Sequence, residues 1–355
     1  MPRNNPAKTR HICVAGVSGL AGAHIARTAL ALGWRVTGTL RDVNDTSKTV
    51  PLMAMPGAKD RLRLVSADTR QSDSILNALV DTDALVIACL PSIRSAPDGT
   101  PASKLDHSSG LKYCIDPARA ACSTLIEAAY KSAVFDIVLV SSTASIEPEP
   151  EPATKDELLH YSDLDSQIRD GKFIAAQKTA LETIAVQLSQ EYDLRLTILL
   201  SGMIVGPGVL PCHADGHILK HLRDLSVDAK PWHDQIPAGS MSLVHPVDLA
   251  AFCLAALQNP EAEGRYLAVR KSWAWSDIYS EIANFVPAQA LPTDVSKGTE
   301  TTRPSQFNFA RRDSLSSPQY GLAAMISGFY QWLDDHTYTE TTKVDPDTAA
   351  RTVDA

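Results

Sequence analysis

Three glycines, spaced Gly16-Val-Ser-Gly19-Leu-Ala-Gly22, stand between a short apolar run at 11–17 (HICVAGV) and a helix-periodic segment at 21–33 (AGAHIARTALALG) that stops at Gly33. Glycines at this spacing let the backbone turn tightly and approach an anion, and the first helical turn presents unpaired N–H groups to it. A β-rich segment follows at 34–41 (WRVTGTLR), so the unit reads as the βαβ opening of a dinucleotide-binding fold. Gly16, Ser18, Gly19, Leu20 and Gly22 are the expected pyrophosphate contacts. The second strand chooses the cofactor. An NAD site usually ends it with an acid that accepts from the ribose 2′-hydroxyl, whereas here it ends Thr39-Leu40-Arg41-Asp42. Leu40 cannot accept a hydrogen bond, and Arg41 can pair with a 2′-phosphate. NADP(H) is therefore expected; the plain alternative is a surface arginine paired with Asp42.

The same alternation continues along the chain. Strand-like runs lie at 61–68, 84–90, 135–143 and 194–206, the last with its exit loop. Between them come a helix at 72–80 with a Ser/Asp cap, a helix opened by Pro117, and a helix around Lys178. This order predicts an α/β fold, a Rossmann-type doubly wound parallel sheet with helices on both faces. The acid–proline run EPEPEPAT (147–154) reads as an extended, solvated excursion, and the Pro-, His- and Asp-rich stretch at about 207–240 as part of a second, less regular unit. Helices are expected at 247–257, at WSDIYSEIANFV with Ser276 as its cap, and at 319–336, with a strand at GRYLAV. Trp273 and Trp275 read as packing residues.

Composition excludes several classes. The net charge is −8 with no basic patch, so nucleic acid is not expected. The opening MPRNNPAKTR lacks the apolar run of a secretory signal, and no segment approaches a membrane span. The six cysteines form no CxxC pair, which suits free thiols in a reducing, cytoplasmic setting. Cys212, His213, His217 and His221 raise the question of a metal. Pro211 and Gly216 interrupt any helix there and no HExxH is present, so none is expected.

The stretches VAGVSGLAGAHIA, WRVTGTLRD, LVSADTRQSDSI, DALVIACLPS, VLVSSTAS, QKTALE, LRLTILLSGMIVGPG, SLVHPVDLAAFCLAAL and GRYLAV follow in this order over roughly residues 11–270. Together they resemble the extended short-chain dehydrogenase/reductases of the NAD-dependent epimerase/dehydratase superfamily, most closely the dihydroflavonol reductase and cinnamoyl-CoA reductase-like branch. The resemblance implies a Rossmann domain with a smaller, mostly C-terminal α+β substrate domain. The boundaries expected are 11–206 with about 241–258 for the first and 207–240 with 259–336 for the second, between a polar tail at 1–10 and a loose tail at 337–355. It also implies that Asp68 bonds the adenine amino group with Thr69 beside it, that Leu90 and Pro91 pass over the ribose, and that Ser201, Met203 and Ile204 border the nicotinamide. Thr143 takes the substrate-oxygen position, with Ser142 as the fallback. A small-molecule substrate is expected, and a homodimer stays open.

Lys178 matches the family's lysine, which bonds the nicotinamide ribose and lowers the pKa of a tyrosine four residues earlier. That position here is Ile174. Carbonyl reduction needs an acid as well as a hydride donor, and isoleucine has no proton to give. Three accounts follow. Another residue donates, the candidates being Tyr161 and His160 before the helix, or His213, His217 and His221. Lys178 itself donates, directly or through water. Or the enzyme reduces nothing and performs an isomerisation, elimination or cyclisation with the cofactor retained. The reading favoured is an NADP(H)-dependent reductase of a carbonyl on a small, hydrophobic metabolite.

Overall fold

In chain order the strands are β1 (His11–Ala15), β2 (Arg35–Leu40), β3 (Leu62–Ser66), β4 (Ala84–Ile87), β5 (Asp136–Ser142), β6 (Arg195–Ser201), β7 (Met203–Ile204), β8 (Ser240–Val244), β9 (Gly264–Ala268) and β10 (Lys271–Ala274). This is a computed structural model that describes residues 10–89, 92–292 and 303–336. The main sheet has seven strands in the order β3-β2-β1-β4-β5-β6-β9, all parallel. β1 and β4 are buried along their whole length, as their unbroken apolar runs require of central strands. Ile12 and Val14 face a core with the helices Leu20–Ala31 and Pro246–Gln258. Cys13 and Ala15 face the opposite core, with the helices Asp116–Lys131 and Phe173–Glu191. Strand order reverses between β1 and β4, which opens a crevice at their carboxyl ends, where open α/β sheets bind ligands.

The expected doubly wound fold with its smaller α+β unit is thus present. The smaller unit is a three-stranded sheet, β10-β8-β7, packed with helices His217–Val227, Trp275–Ile282 and Leu322–Asp335. The 207–240 stretch is more regular than its composition suggests. Gly216 ends a 3-10 turn and precedes a helix that buries Ile218, Leu219, Leu222 and Leu225. Part of the exit loop after β6 pairs with β8 as β7. Two caps differ. The helix Ser72–Ala78 has Gln71 at its N-cap with no side-chain cap, and Ser74 in its first turn donates its hydroxyl back to the Asp68 and Gln71 carbonyls. The helix Trp275–Ile282 starts from Ala274, which places Ser276 inside it.

The acid–proline excursion is anchored at its end. Lys155 donates its N–H to the Gln306 carbonyl and accepts from Asn308, each at 2.8 Å. Two imidazoles join the nucleotide half to the smaller unit. His24 donates to the Pro207 carbonyl at 2.9 Å, and His213 meets the Ser18 carbonyl at 3.1 Å. All six cysteines are free thiols. No described helix is long and apolar enough to cross a membrane. The tails at 1–9 and 337–355 lie outside the described residues.

Candidate active site

β1 ends at Ala15, and the chain turns at Gly16 with φ +86°. A Cβ there would lie 2.4 Å from the Cβ of Cys89, and a Cβ on Gly22 would lie 2.2 Å from the Gly16 carbonyl oxygen. The helix Leu20–Ala31 therefore seats its first turn directly on the loop. Val17 donates to the Thr39 carbonyl at 3.0 Å and Gly16 to the Thr39 hydroxyl at 3.1 Å, which fixes the loop to β2. The N-cap is Gly19, with no side chain over the first-turn N–H groups. This cradle fits a pyrophosphate. Gly22→Ala is expected to abolish measurable NADPH binding, read by fluorescence titration, while circular dichroism stays native; retained affinity would show that the loop can relax.

Two cavities meet over this loop, sharing Ser18, Gly19 and Ala88. The first, about 510 Å³, runs along the ends of β1 and β2 past Leu40, Arg41, Asp68, Thr69 and Arg70. These are the residues expected at the adenosine end. Asp68 is held by Arg70, which keeps its carboxyl down at about 2.

The second cavity, about 790 Å³, lies between the main sheet and the smaller unit. Ser142, Lys178, Ser201, Met203 and Ile204 all line it. Its apolar wall comes from Leu20, Phe173, Ile174, Met203 and Leu219. Ile174, Lys178 and Glu182 recur every fourth residue, so they share one face of the Phe173–Glu191 helix. Lys178 is half-buried and makes no hydrogen bond or ion pair among the described residues. Burial, and then the charge of Arg94, hold its ammonium below the ordinary lysine range. Ser142 accepts from the Ala144 N–H at 3.2 Å, which leaves its own O–H to donate.

Beneath this face Glu182 is buried. It accepts from the Ser141 and Ser145 hydroxyls and pairs with Arg265 at 3.1 Å. Arg265 also donates to the carbonyls of Ser145, Glu157 and His160. The pair ties the end of β5, the loop before the lysine helix, and β9 into one floor.

Several expected residues stand elsewhere. β5 ends at Ser142 and turns at once into a 3-10 turn, so Ser142 and not Thr143 lines the cavity. Tyr161 is 58% exposed, with its ring under the Arg265 guanidinium at 4.3 Å, and does not reach the cavity. His160 accepts from the Asp156 N–H. His213 lines the cavity, but its Nδ1 accepts from Val209 at 3.1 Å, which puts its proton on Nε2, donated to Ser18. Burial lowers its pKa, so it is a fixed neutral strut. His221 stacks on Trp232. Leu90, Pro91 and the side chain of His217 lie outside the described residues. Among the described residues no tyrosine, aspartate or glutamate lines this cavity, and no three metal-ligating side chains gather. Sequence reasoning missed Arg94, Arg70, Arg265 and Glu182. Only Glu182 carried a signal, as an acid on the face shared with Lys178.

A model of the NAD dependent epimerase/dehydratase family matches residues 12–269. Tetraketide alpha-pyrone reductase 1 of Arabidopsis thaliana is 25% identical over 286 residues, 79% of this chain and 82% of that protein. Cinnamoyl-CoA reductase 1 of Petunia hybrida is 25% identical over 300 residues, 84% of each chain. The structure of yeast methylglyoxal/isovaleraldehyde reductase complexed with NADPH superposes with a TM-score of 0.73 at 17% identity, covering 92% of this chain and 99% of that one.

Proposed function

The chain belongs to the NAD dependent epimerase/dehydratase family, and from that premise we propose that it is an NADP(H)-dependent reductase of a carbonyl on a small, hydrophobic metabolite, with Lys178 as the proton donor. The observation that carries this reading is the cavity wall around Lys178. An amine faces the cavity one helical turn from Ile174, beside the Ser142 hydroxyl, and no described tyrosine lines the same space. Gly16, Ser18, Gly19 and Gly22 would hold the pyrophosphate, Asp68 the adenine edge, and Arg41 the 2′-phosphate. The reductase relatives, and the yeast enzyme's NADPH, support the cofactor and the reaction class.

When bound, the nicotinamide supplies a hydride to the carbonyl carbon. Ser142 donates a hydrogen bond to the carbonyl oxygen and orients it. The Lys178 ammonium releases a proton to that oxygen as negative charge develops there. Ammonium acidity is raised by burial, since desolvation disfavours the charged form. The apolar wall of Leu20, Phe173, Ile174 and Leu219 suits a hydrophobic substrate.

Ile174 also favours a second reading, a non-redox isomerase, lyase or cyclase that keeps the cofactor. The protein is to be mixed with NADPH and a panel of aldehydes and ketones, with absorbance and products followed together. Net NADPH oxidation supports the reductase; product without oxidation supports the second reading. Ile174→Tyr is expected to raise reductase turnover on the order of tenfold, because a phenol beside Lys178 adds a better-placed acid. Unchanged or lower turnover would count against a carbonyl oxygen lying above this helical turn.

A further inference from the structure

We propose that Arg70 is the second arm of the 2′-phosphate seat, closing with Arg41 on the phosphorylated ribose of NADP(H). The inference rests on the NADP(H) reading above and adds a residue to it. Arg41, Asp68 and Arg70 line one cavity at the ends of the second and third strands. Arg70 pairs with Asp68 directly and depresses its carboxyl most; Arg41 adds a weaker pull, and Arg41 and Asp68 by themselves sum to zero charge. With those two alone, a phosphate dianion would approach a neutral pair and face the carboxylate. Arg70 changes the sign of the group, because the three side chains together carry one net positive charge.

The way Arg70 is held makes it available for a second ligand. Its backbone N–H donates to the Asp68 carboxylate at 2.9 Å, so the turn Asp68-Thr69-Arg70 folds the side chain back on the cavity. Its Nε lies 3.0 and 3.1 Å from the two carboxylate oxygens, and Nη2 lies 2.5 Å from Oδ2. These contacts occupy one edge of the guanidinium. A guanidinium has five N–H donors in a planar fork, so the Nη1 pair and the outer Nη2 proton face away from Asp68. Arg70 can bridge, with one edge on the carboxylate and the other on a phosphate, without breaking its ion pair. The side chain is 85% exposed, so no packing contact resists the adjustment. Charge-assisted, forked contacts of this kind are the strong ones for phosphate.

Dissociation constants for NADPH, NADH and the nicotinamide-free probe 2′,5′-ADP would be measured for the wild type, Arg70→Ala, Arg70→Lys and Arg41→Ala. Arg70→Ala is expected to weaken NADPH and 2′,5′-ADP about tenfold while NADH changes by less than about twofold; Arg70→Lys falls between, and Arg41→Ala loses more. If Arg70→Ala keeps the wild-type preference for NADPH, or weakens NADPH and NADH equally, the second arm is overturned while the NADP(H) reading stands. A wild type with no preference for NADPH over NADH overturns both.

Discussion

Lys178→Met is expected to lower kcat for NADPH-dependent carbonyl reduction about 10²–10⁴-fold, the usual worth of a positioned general acid. The side chain keeps its length and apolar stem but cannot release a proton. Lys178→Arg sharpens the test, because a guanidinium keeps the charge at every accessible pH yet does not act as an acid; it should restore NADPH affinity and leave kcat low. The pH profile has a definite sign. The donor works protonated, so kcat is level at low pH and falls as pH rises through the Lys178 pKa. That limb lies below the ordinary 10.5, because burial and then the charge of Arg94 disfavour the ammonium. If Lys178→Met raises KM for NADPH with kcat unchanged, the lysine only holds the cofactor and the proton comes from elsewhere.

Glu182→Ala is expected to cost about 3–5 kcal/mol of folding stability, the range for removing one partner of a buried ion pair. For a domain of this size that is a fall in Tm on the order of 10 °C. The side chains of Arg265 and Glu182 are only 6% and 8% exposed, so the arginine left behind has no water to turn to. Ser141 and Ser145 lose their shared acceptor at the same time. Replacing both charged partners together, Glu182→Leu with Arg265→Met, should recover part of the loss, because an apolar pair has no buried charge to compensate. Thermal unfolding of the two variants beside the wild type checks this; a Glu182→Ala protein that melts with the wild type would show that Arg265 is satisfied by its carbonyl acceptors alone.

What the sequence disclosed follows from how locally each feature is encoded. The glycine loop, the unbroken apolar strands and the spacing of Ile174 and Lys178 are written within a few residues each, and the structure puts the loop at the end of β1 and Ile174 and Lys178 on one cavity wall. Ser142 against Thr143 turns on where β5 stops, a one-residue matter decided by the 3-10 turn after it. Tyr161 looked available because it precedes the lysine helix, yet its ring is held by an arginine from β9. Glu182 stands in the QKTALE stretch, but its meaning depends on Arg265, far along the chain. A partnership between residues far apart in the chain leaves no periodic trace, and Glu182 with Arg265 is of that kind.

The imidazole rings of His24 and His213 act as rivets between the two halves of the cleft. Burial lowers the pKa of both and so keeps them uncharged at neutral pH; His24, held down to about 3, stays so in mild acid as well. These two contacts resist opening of the cleft along this edge, so the girth of a ligand weighs on its admission alongside its chemistry.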